Sequence, residues 1–108
     1  MEEIKKAIRE IANEEYERAN KKFPLFNSDH EGVAVIEEEL IEAAAEMETM
    51  RFEFHDLKHD VFNDNDIDQI LDAESMKEAA INACAECIQV IAMCDKFIES
   101  KAKREAVE

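Results

Sequence analysis

An acidic run at residues 37–46 carries the side chains best suited to chemistry in this chain. Read as a helix at about 100° per residue, the run turns some of its carboxylates toward an apolar stripe. Glu39 projects about 60° from the centre of that stripe, and Glu42 and Glu46 lie along its edge. A carboxylate that leans into a core needs a proton, a cation or a metal ion, because a bare buried charge is unstable. The stripe itself consists of Ile36, Leu40, Ala43, Met47, Met50 and Phe54.

A second acidic residue lies in an apolar setting near the end of the chain. On a helix, Glu86 projects between Met93 and Phe97, inside an apolar arc. Gln89 lies three residues later, on the same side of the helix. A glutamate among apolar neighbours is rarely an ordinary solvated residue, so we expect Glu86 to be paired, protonated or bound to a metal ion.

The two acidic segments can form one site if their helices lie side by side and antiparallel. Glu39, Glu42 and Glu86 then converge, with Glu38 and Glu46 behind them. A set of carboxylate oxygens is hard, which favours Mg²⁺ or Mn²⁺ over zinc. Such an ion neutralises phosphates and activates a water molecule for attack at phosphorus. Either Glu38 or Glu46 is placed to act as the general base, and the spacing does not choose between them.

The two segments resemble the motifs of a known enzyme family. Residues 30–42 are similar to the first motif of MazG-like, all-α nucleoside triphosphate pyrophosphohydrolases, E-E-x-x-E, with Glu38, Glu39 and Glu42 at the motif positions. Residues 85–93 are similar to the second motif, E-x-x-D, as it occurs in small phage-type members. The resemblance spans about residues 23–97.

The resemblance implies Mg²⁺- or Mn²⁺-dependent hydrolysis of a nucleoside triphosphate to the monophosphate and pyrophosphate. It also implies that most of the catalytic residues are metal ligands as well. Gln89 is an implied metal ligand, at the position where the family usually has an aspartate. A neutral amide offers one carbonyl oxygen and no charge, so we expect weaker metal binding. The alternative is a catalytically degenerate helical module for oligomerisation or partner binding. The implied catalytic residues are Glu38, Glu39, Glu42 and Glu86, and the implied metal ligands are Glu39, Glu42, Glu86 and Gln89.

Composition limits the class of protein. The chain has 108 residues and reads as a single all-α domain over residues 1–108, with one glycine, one proline and many helix-forming residues. A formal net charge of -15 argues against binding a nucleic-acid backbone or an anionic membrane surface. It leaves room for an anionic nucleotide, since divalent cations bridge the two. No apolar run is long enough to span a membrane and no signal peptide is evident, so we expect a cytoplasmic protein.

Periodicity predicts a bundle of three long helices, with room for a short extra helix. We expect helices over residues 2–22, over residues 30–60, and from residues 73–75 to about residue 103. Pro24 ends the first helix. Residues 63–68, at the start of the acidic segment 63–72, read as a loop with room for one short helical turn after it. The apolar faces are broad for so small a unit, which predicts a homodimer or homotetramer.

Three cysteines occur in the last predicted helix. Cys84, Cys87 and Cys94 share a 3-4 spacing with Ile91 and Ile98, which predicts a packed helix stripe of reduced thiols.

Overall fold

A computed structural model of the chain describes residues 1–107, and it is all-helical. Helix α1 spans Glu2–Lys22, α2 spans Asp29–Phe62 and α3 spans Asp66–Val107, with no strand among these residues. The prediction of an all-α fold with three long helices is confirmed. Residue 108, the last of the predicted domain, lies outside the described range. None of the three helices is both long and apolar enough to cross a membrane.

The connection from α1 to α2 is fixed by local chemistry. Phe23 has an extended backbone (φ -129°, ψ 133°), the conformation that a following proline favours, so α1 ends at the predicted residue. Ser28 caps α2, because its Oγ accepts a hydrogen bond from the Glu31 backbone N–H at 3.1 Å. The Glu31 carboxylate in turn accepts a bond from the Asn27 N–H at 3.3 Å. Together these contacts satisfy two backbone donors at the start of the helix.

The turn between α2 and α3 is a Schellman motif. The Asn65 N–H donates to the Asp60 carbonyl at 2.9 Å, and the Asp64 N–H donates to the Val61 carbonyl at 3.3 Å. Asp64 adopts φ 54°, the left-handed conformation that this motif requires. The chain therefore reverses within three residues.

Helix α3 begins earlier than the sequence predicted, at Asp66 instead of residues 73–75. The predicted loop over residues 63–68 is correct for residues 63–65 and wrong for residues 66–68, which belong to α3. Asn65 caps the helix, since its Oδ1 accepts a bond from the Asp68 N–H at 3.4 Å. Acidic residues in a first turn favour the positive end of the helix dipole, so the same aspartates that suggest a loop stabilise a helix start.

Two compact units can be distinguished in the chain. The first comprises residues 1–40 and the described residues from 87 onward. Its core is Phe26, Ala92 and Met93, with Phe97 packed against them. Gly32 is needed here, because a Cβ at this position would lie 2.6 Å from Cδ2 of the Phe97 ring.

Ser100 ties the connector before α2 to helix α3 in the first unit. It is 2% exposed, accepts a bond from the Phe26 N–H at 2.9 Å and donates to the Lys96 carbonyl at 2.6 Å. Arg104 donates to the Phe26 carbonyl at 2.8 Å and also pairs with Asp29. Both polar groups of the Phe26 backbone thus have partners, as buried backbone groups require.

The second unit comprises residues 41–86. Its buried apolar residues are small, namely Ala43, Ala79 and Ala83. Side chains of this size let helix backbones approach closely, and they leave little apolar volume around any carboxylate nearby.

The prediction that the cysteines form a packed stripe was wrong. Cys84, Cys87 and Cys94 are all exposed free thiols. The buried residues of α3 lie on other faces of the helix. The three cysteines therefore face solvent, although their spacing is typical of a packed helix face. Ile98, on the cysteine face, is 65% exposed.

Candidate functional site

The inner face of α2 carries a regular series of carboxylates. Glu39, Glu46, Glu53 and Asp60 are all half-buried and recur every seven residues. Seven residues make about two helical turns, so the four side chains lie along one line of the helix. They alternate with the buried or half-buried side chains of Ala43, Met50 and Leu57. The lean of Glu39 toward the packed face is therefore one member of a longer pattern.

Three of the predicted site residues lie close together. One carboxylate oxygen from each of Glu39, Glu42 and Glu86 lies within 4.8 Å of the other two. Glu39 and Glu86 are half-buried, and Glu42 is exposed. Glu38, the fourth predicted catalytic residue, is exposed and does not belong to this group among the described residues. We name Glu39, Glu42 and Glu86 the carboxylate group.

Glu86 shows the electrostatic strain of this arrangement most clearly. Burial raises the pKa of Glu86, and the negative charge of Glu42 raises it further. A hydrogen bond between the two carboxyl groups and the charge of Glu46 act in the same direction. Like charges at this separation favour a shared proton or a bound cation, since either one removes the repulsion.

The donor set fits a hard divalent cation. Three carboxylates within one small volume provide only oxygen ligands, which Mg²⁺ and Mn²⁺ prefer. Glu42 and Glu39 lie one turn apart on α2, so the helix backbone fixes their relative positions. Protein ligands from one side only would leave the remaining coordination positions for water and for phosphate oxygens.

Gln89 lies one helical turn beyond Glu86 and is half-buried. Gln89 and Glu39 both line a cavity of about 510 Å³ in the first unit. A volume of this size is typical of small-molecule sites. The cavity also contains apolar and cationic side chains from α1 and from the connector, including Phe23, Phe26, Arg18 and Lys22.

A second pair of carboxyl groups, which the sequence did not predict, lies in the second unit. A hydrogen bond to Asp60 raises the pKa of Asp72 to about 6, and burial and the charges of Asp60, Asp56 and Asp68 contribute in the same direction. Oδ2 of Asp72 is buried and has no hydrogen-bond partner among the described residues. The sequence signal for this pair was the seven-residue series that ends at Asp60, combined with a helix start at Asp66.

Comparisons of the chain with protein-family models, with curated proteins and with solved structures find no match. The likeness to the MazG-like motifs therefore remains a resemblance between short stretches of residues.

The pair of Asp72 and Asp60 predicts a specific pH dependence of stability. The folded chain keeps a proton on Asp72 up to about pH 6, whereas the ordinary pKa of the group is 3.8. Because the folded state binds more protons in this window, stability falls as pH rises from about 3.8 to about 6. We expect Asp72→Asn to melt at a higher temperature than the unsubstituted chain at pH 7, and at the same temperature near pH 4.

Thermal unfolding followed by circular dichroism measures this difference. Asp95→Asn is the matched control, because Asp95 is an exposed aspartate on the same helix. A gap between Asp72→Asn and the unsubstituted chain that is equal at both pH values would contradict the role assigned to the pair.

Proposed function

We propose that the chain is a Mg²⁺- or Mn²⁺-dependent nucleoside triphosphate pyrophosphohydrolase of the MazG-like type. The observation that carries the proposal is the carboxylate group, in which residues from two distant parts of the sequence lie within 4.8 Å of one another. The motif resemblance at residues 30–42 and 85–93 supports the reaction type. The cavity beside Glu39 and Gln89 supports a small-molecule substrate.

The chain's own residues would divide the work as follows. Glu39, Glu42 and Glu86 would hold the metal ion, and Gln89 would add a neutral carbonyl oxygen directly or through water. When bound, the ion would neutralise the phosphates and lower the pKa of a bound water molecule. Burial and the negative charges of Glu42 and Glu46 raise the pKa of Glu86, and a cation held among these carboxylates would offset that repulsion.

Two glutamates remain candidates for the general base. Glu46 is half-buried, and its charge reaches Glu86 strongly enough to contribute to the raised pKa. Glu38 is exposed to solvent and is better suited to a supporting role. We propose that Glu46 accepts the proton of the attacking water, which is then directed at the α-phosphorus so that pyrophosphate leaves.

A pyrophosphate-release assay tests the enzymatic proposal. Standard and modified nucleoside triphosphates are incubated with the protein and Mn²⁺, and pyrophosphate and monophosphate are measured. We expect both products in equal amounts from at least one nucleotide, and a loss of activity by about tenfold to a hundredfold in Glu86→Gln, the range seen when metal sites lose even an indirect partner.

Glu78→Gln is the matched control, since Glu78 is an exposed glutamate two turns earlier on the same helix. It should retain full activity. Absence of pyrophosphate with every nucleotide, in protein shown to be folded, would remove the enzymatic proposal and leave the helical interaction module.

A separate observation favours self-association, in an enzyme or in a degenerate module. Helix α2 carries a second apolar stripe, which is exposed and which we name the outer stripe. Its members recur every seven residues and are between 46% and 56% exposed. The outer stripe consists of Val33, Leu40, Met47, Phe54 and Val61.

The surface area supports the same conclusion. The chain exposes 8026 Å². A folded monomer of 12.4 kDa is expected to expose about 6,100 Å², so about 1,900 Å² is in excess. A standard interface removes about 800 Å² per partner, and obligate homodimers remove more. We propose that a second copy of the chain covers the outer stripe, in a homodimer or homotetramer.

The outer stripe is suited to antiparallel pairing with itself. A two-fold axis through Met47 would place Val33 against Val61 of the second copy, and Leu40 against Phe54. Glu37 and Lys58, which flank the stripe, would then face each other across the interface with opposite charge.

Met47→Glu tests this interface, because it would bring two negative charges together at the proposed axis. We expect the unsubstituted chain to sediment as a dimer or tetramer and Met47→Glu to sediment as a monomer with unchanged helix content. Ala45→Glu places the same charge at an exposed position on another face of α2 and should leave the assembly intact. A monomeric unsubstituted chain at micromolar concentration would contradict the proposal.

We also propose that the protein works in a reducing compartment such as the cytoplasm. All three thiols are exposed. In an oxidising compartment, exposed thiols readily cross-link molecules or become oxidised, whereas cytosolic reductants keep them free.

A further inference from the structure

Lys96 is a charged side chain in an unusual position. It is 5% exposed, and Lys96 and Ser100 are the only buried polar residues of the described chain. Lysine is almost never fully buried unless its ammonium group has a partner. Lys96 lines the cavity of the first unit, the same cavity that Glu39 and Gln89 line.

The protein itself compensates this charge only in part. The Lys96 Nζ lies 4.9 Å from the centroid of the Phe26 ring, a cation–π contact. Burial lowers the pKa of Lys96, and the charge of Glu31 opposes that shift at longer range. The direction of the net shift indicates that the surroundings disfavour the ammonium form. An anion inside the cavity would supply the missing compensation.

Two further cations line the same cavity. Arg18 and Lys22 lie one turn apart on α1, so both side chains lie on one side of that helix. Arg18 also pairs with Glu15, which lines the same cavity. The lining also contains three carboxylates, Glu15, Glu31 and Glu39. The charges of the lining therefore balance, in a chain whose formal net charge is -15, which leaves this cavity less negative than the chain as a whole.

The rest of the cavity lining is apolar or contributes oxygen atoms. Phe23, Phe26 and Met93 provide apolar and aromatic surface. Glu39 and Gln89 provide oxygen atoms. A ligand that carries several negative charges along a chain, with a flat apolar group at one end, matches all three kinds of surface.

We propose that Lys96, supported by Arg18 and Lys22, binds the polyphosphate chain of a nucleotide in this cavity. The buried ammonium of Lys96 contacts the terminal phosphates, the part released as pyrophosphate. This inference rests on the proposed function for the identity of the ligand, and it rests on the cavity and on Lys96 for the site. Lys96 is a substrate-binding residue in this account and takes no part in proton transfer.

Lys96→Met separates a binding role from a structural one. Methionine keeps the apolar stem and removes the charge. A buried charge without a full partner destabilises the fold, so we expect the melting temperature of Lys96→Met to be unchanged or higher. A lysine retained for its cation–π contact and packing would give the opposite result, a lower melting temperature.

Binding is measured by calorimetric titration with inorganic pyrophosphate in the presence of Mg²⁺. The loss of one charge-assisted hydrogen bond weakens binding by about tenfold or more, and we expect a loss of this size in Lys96→Met. Lys96→Arg should retain part of the affinity, and Lys77→Met, at an exposed lysine on the same helix, should retain all of it. Equal affinity of Lys96→Met and the unsubstituted chain would overturn the inference, as would no binding of pyrophosphate by the unsubstituted chain.

The titration involves no turnover, so its failure is distinguishable from failure of the proposed function. Binding of pyrophosphate through Lys96 without hydrolysis of any nucleotide would support the inference and remove the enzymatic proposal. Hydrolysis that is unaffected in KM by Lys96→Met would do the reverse.

Discussion

The repulsion between the carboxylates of Glu42 and Glu86 is the constraint on which the account of the site depends. Helix packing brings them together in a setting where burial already disfavours the charged form of Glu86. The fold tolerates the repulsion between these carboxylates because each belongs to a long helix. The stability of such a helix comes mainly from the packing of its apolar side chains. A cation that replaced the repulsion with attraction would bind at a site that the fold has already organised.

The same physical situation recurs along the chain with different outcomes. Beside Asp60, Asp72 keeps its proton up to about pH 6, which removes the repulsion between the two carboxyl groups. The charge of Asp29 is compensated by Lys101 and Arg104, which lower the pKa of Asp29. The same ion pairs connect the start of α2 to the end of α3. The carboxylate group differs from both in offering three acidic side chains at once. In a chain with 28 acidic residues, most are simply solvated, and only a few are placed where their charge has structural consequences.

The sequence predicted much of the fold and part of the site. The end of α1 followed from Pro24, which acts through local geometry. The proximity of Glu39, Glu42 and Glu86 followed from helical periodicity together with the assumption that two helices lie side by side. The start of α3 was missed, because aspartate favours loops and helix N-termini alike and only the Asn65 cap distinguishes them. The exposure of Cys84 was also missed, since a regular apolar stripe on a helix looks the same whether a neighbouring helix or a second molecule covers it. Lys96 carried no sequence signal, because its burial arises from the tertiary position of Phe26 and the connector.

Cation binding by the carboxylate group can be followed through the melting temperature as a function of Mn²⁺ concentration, for the unsubstituted chain and for Glu42→Gln. We expect Mn²⁺ to raise the melting temperature of the unsubstituted chain progressively. The free energy of unfolding should increase by about 2.7 kcal/mol when the ion is at a hundred times its dissociation constant. Glu42→Gln, which removes one of the repelling charges, should melt at a higher temperature without metal, and Mn²⁺ should raise its melting temperature little further. A melting temperature that does not change with Mn²⁺, or an equal increase in melting temperature in both proteins, would contradict the proposal that these carboxylates form one cation site.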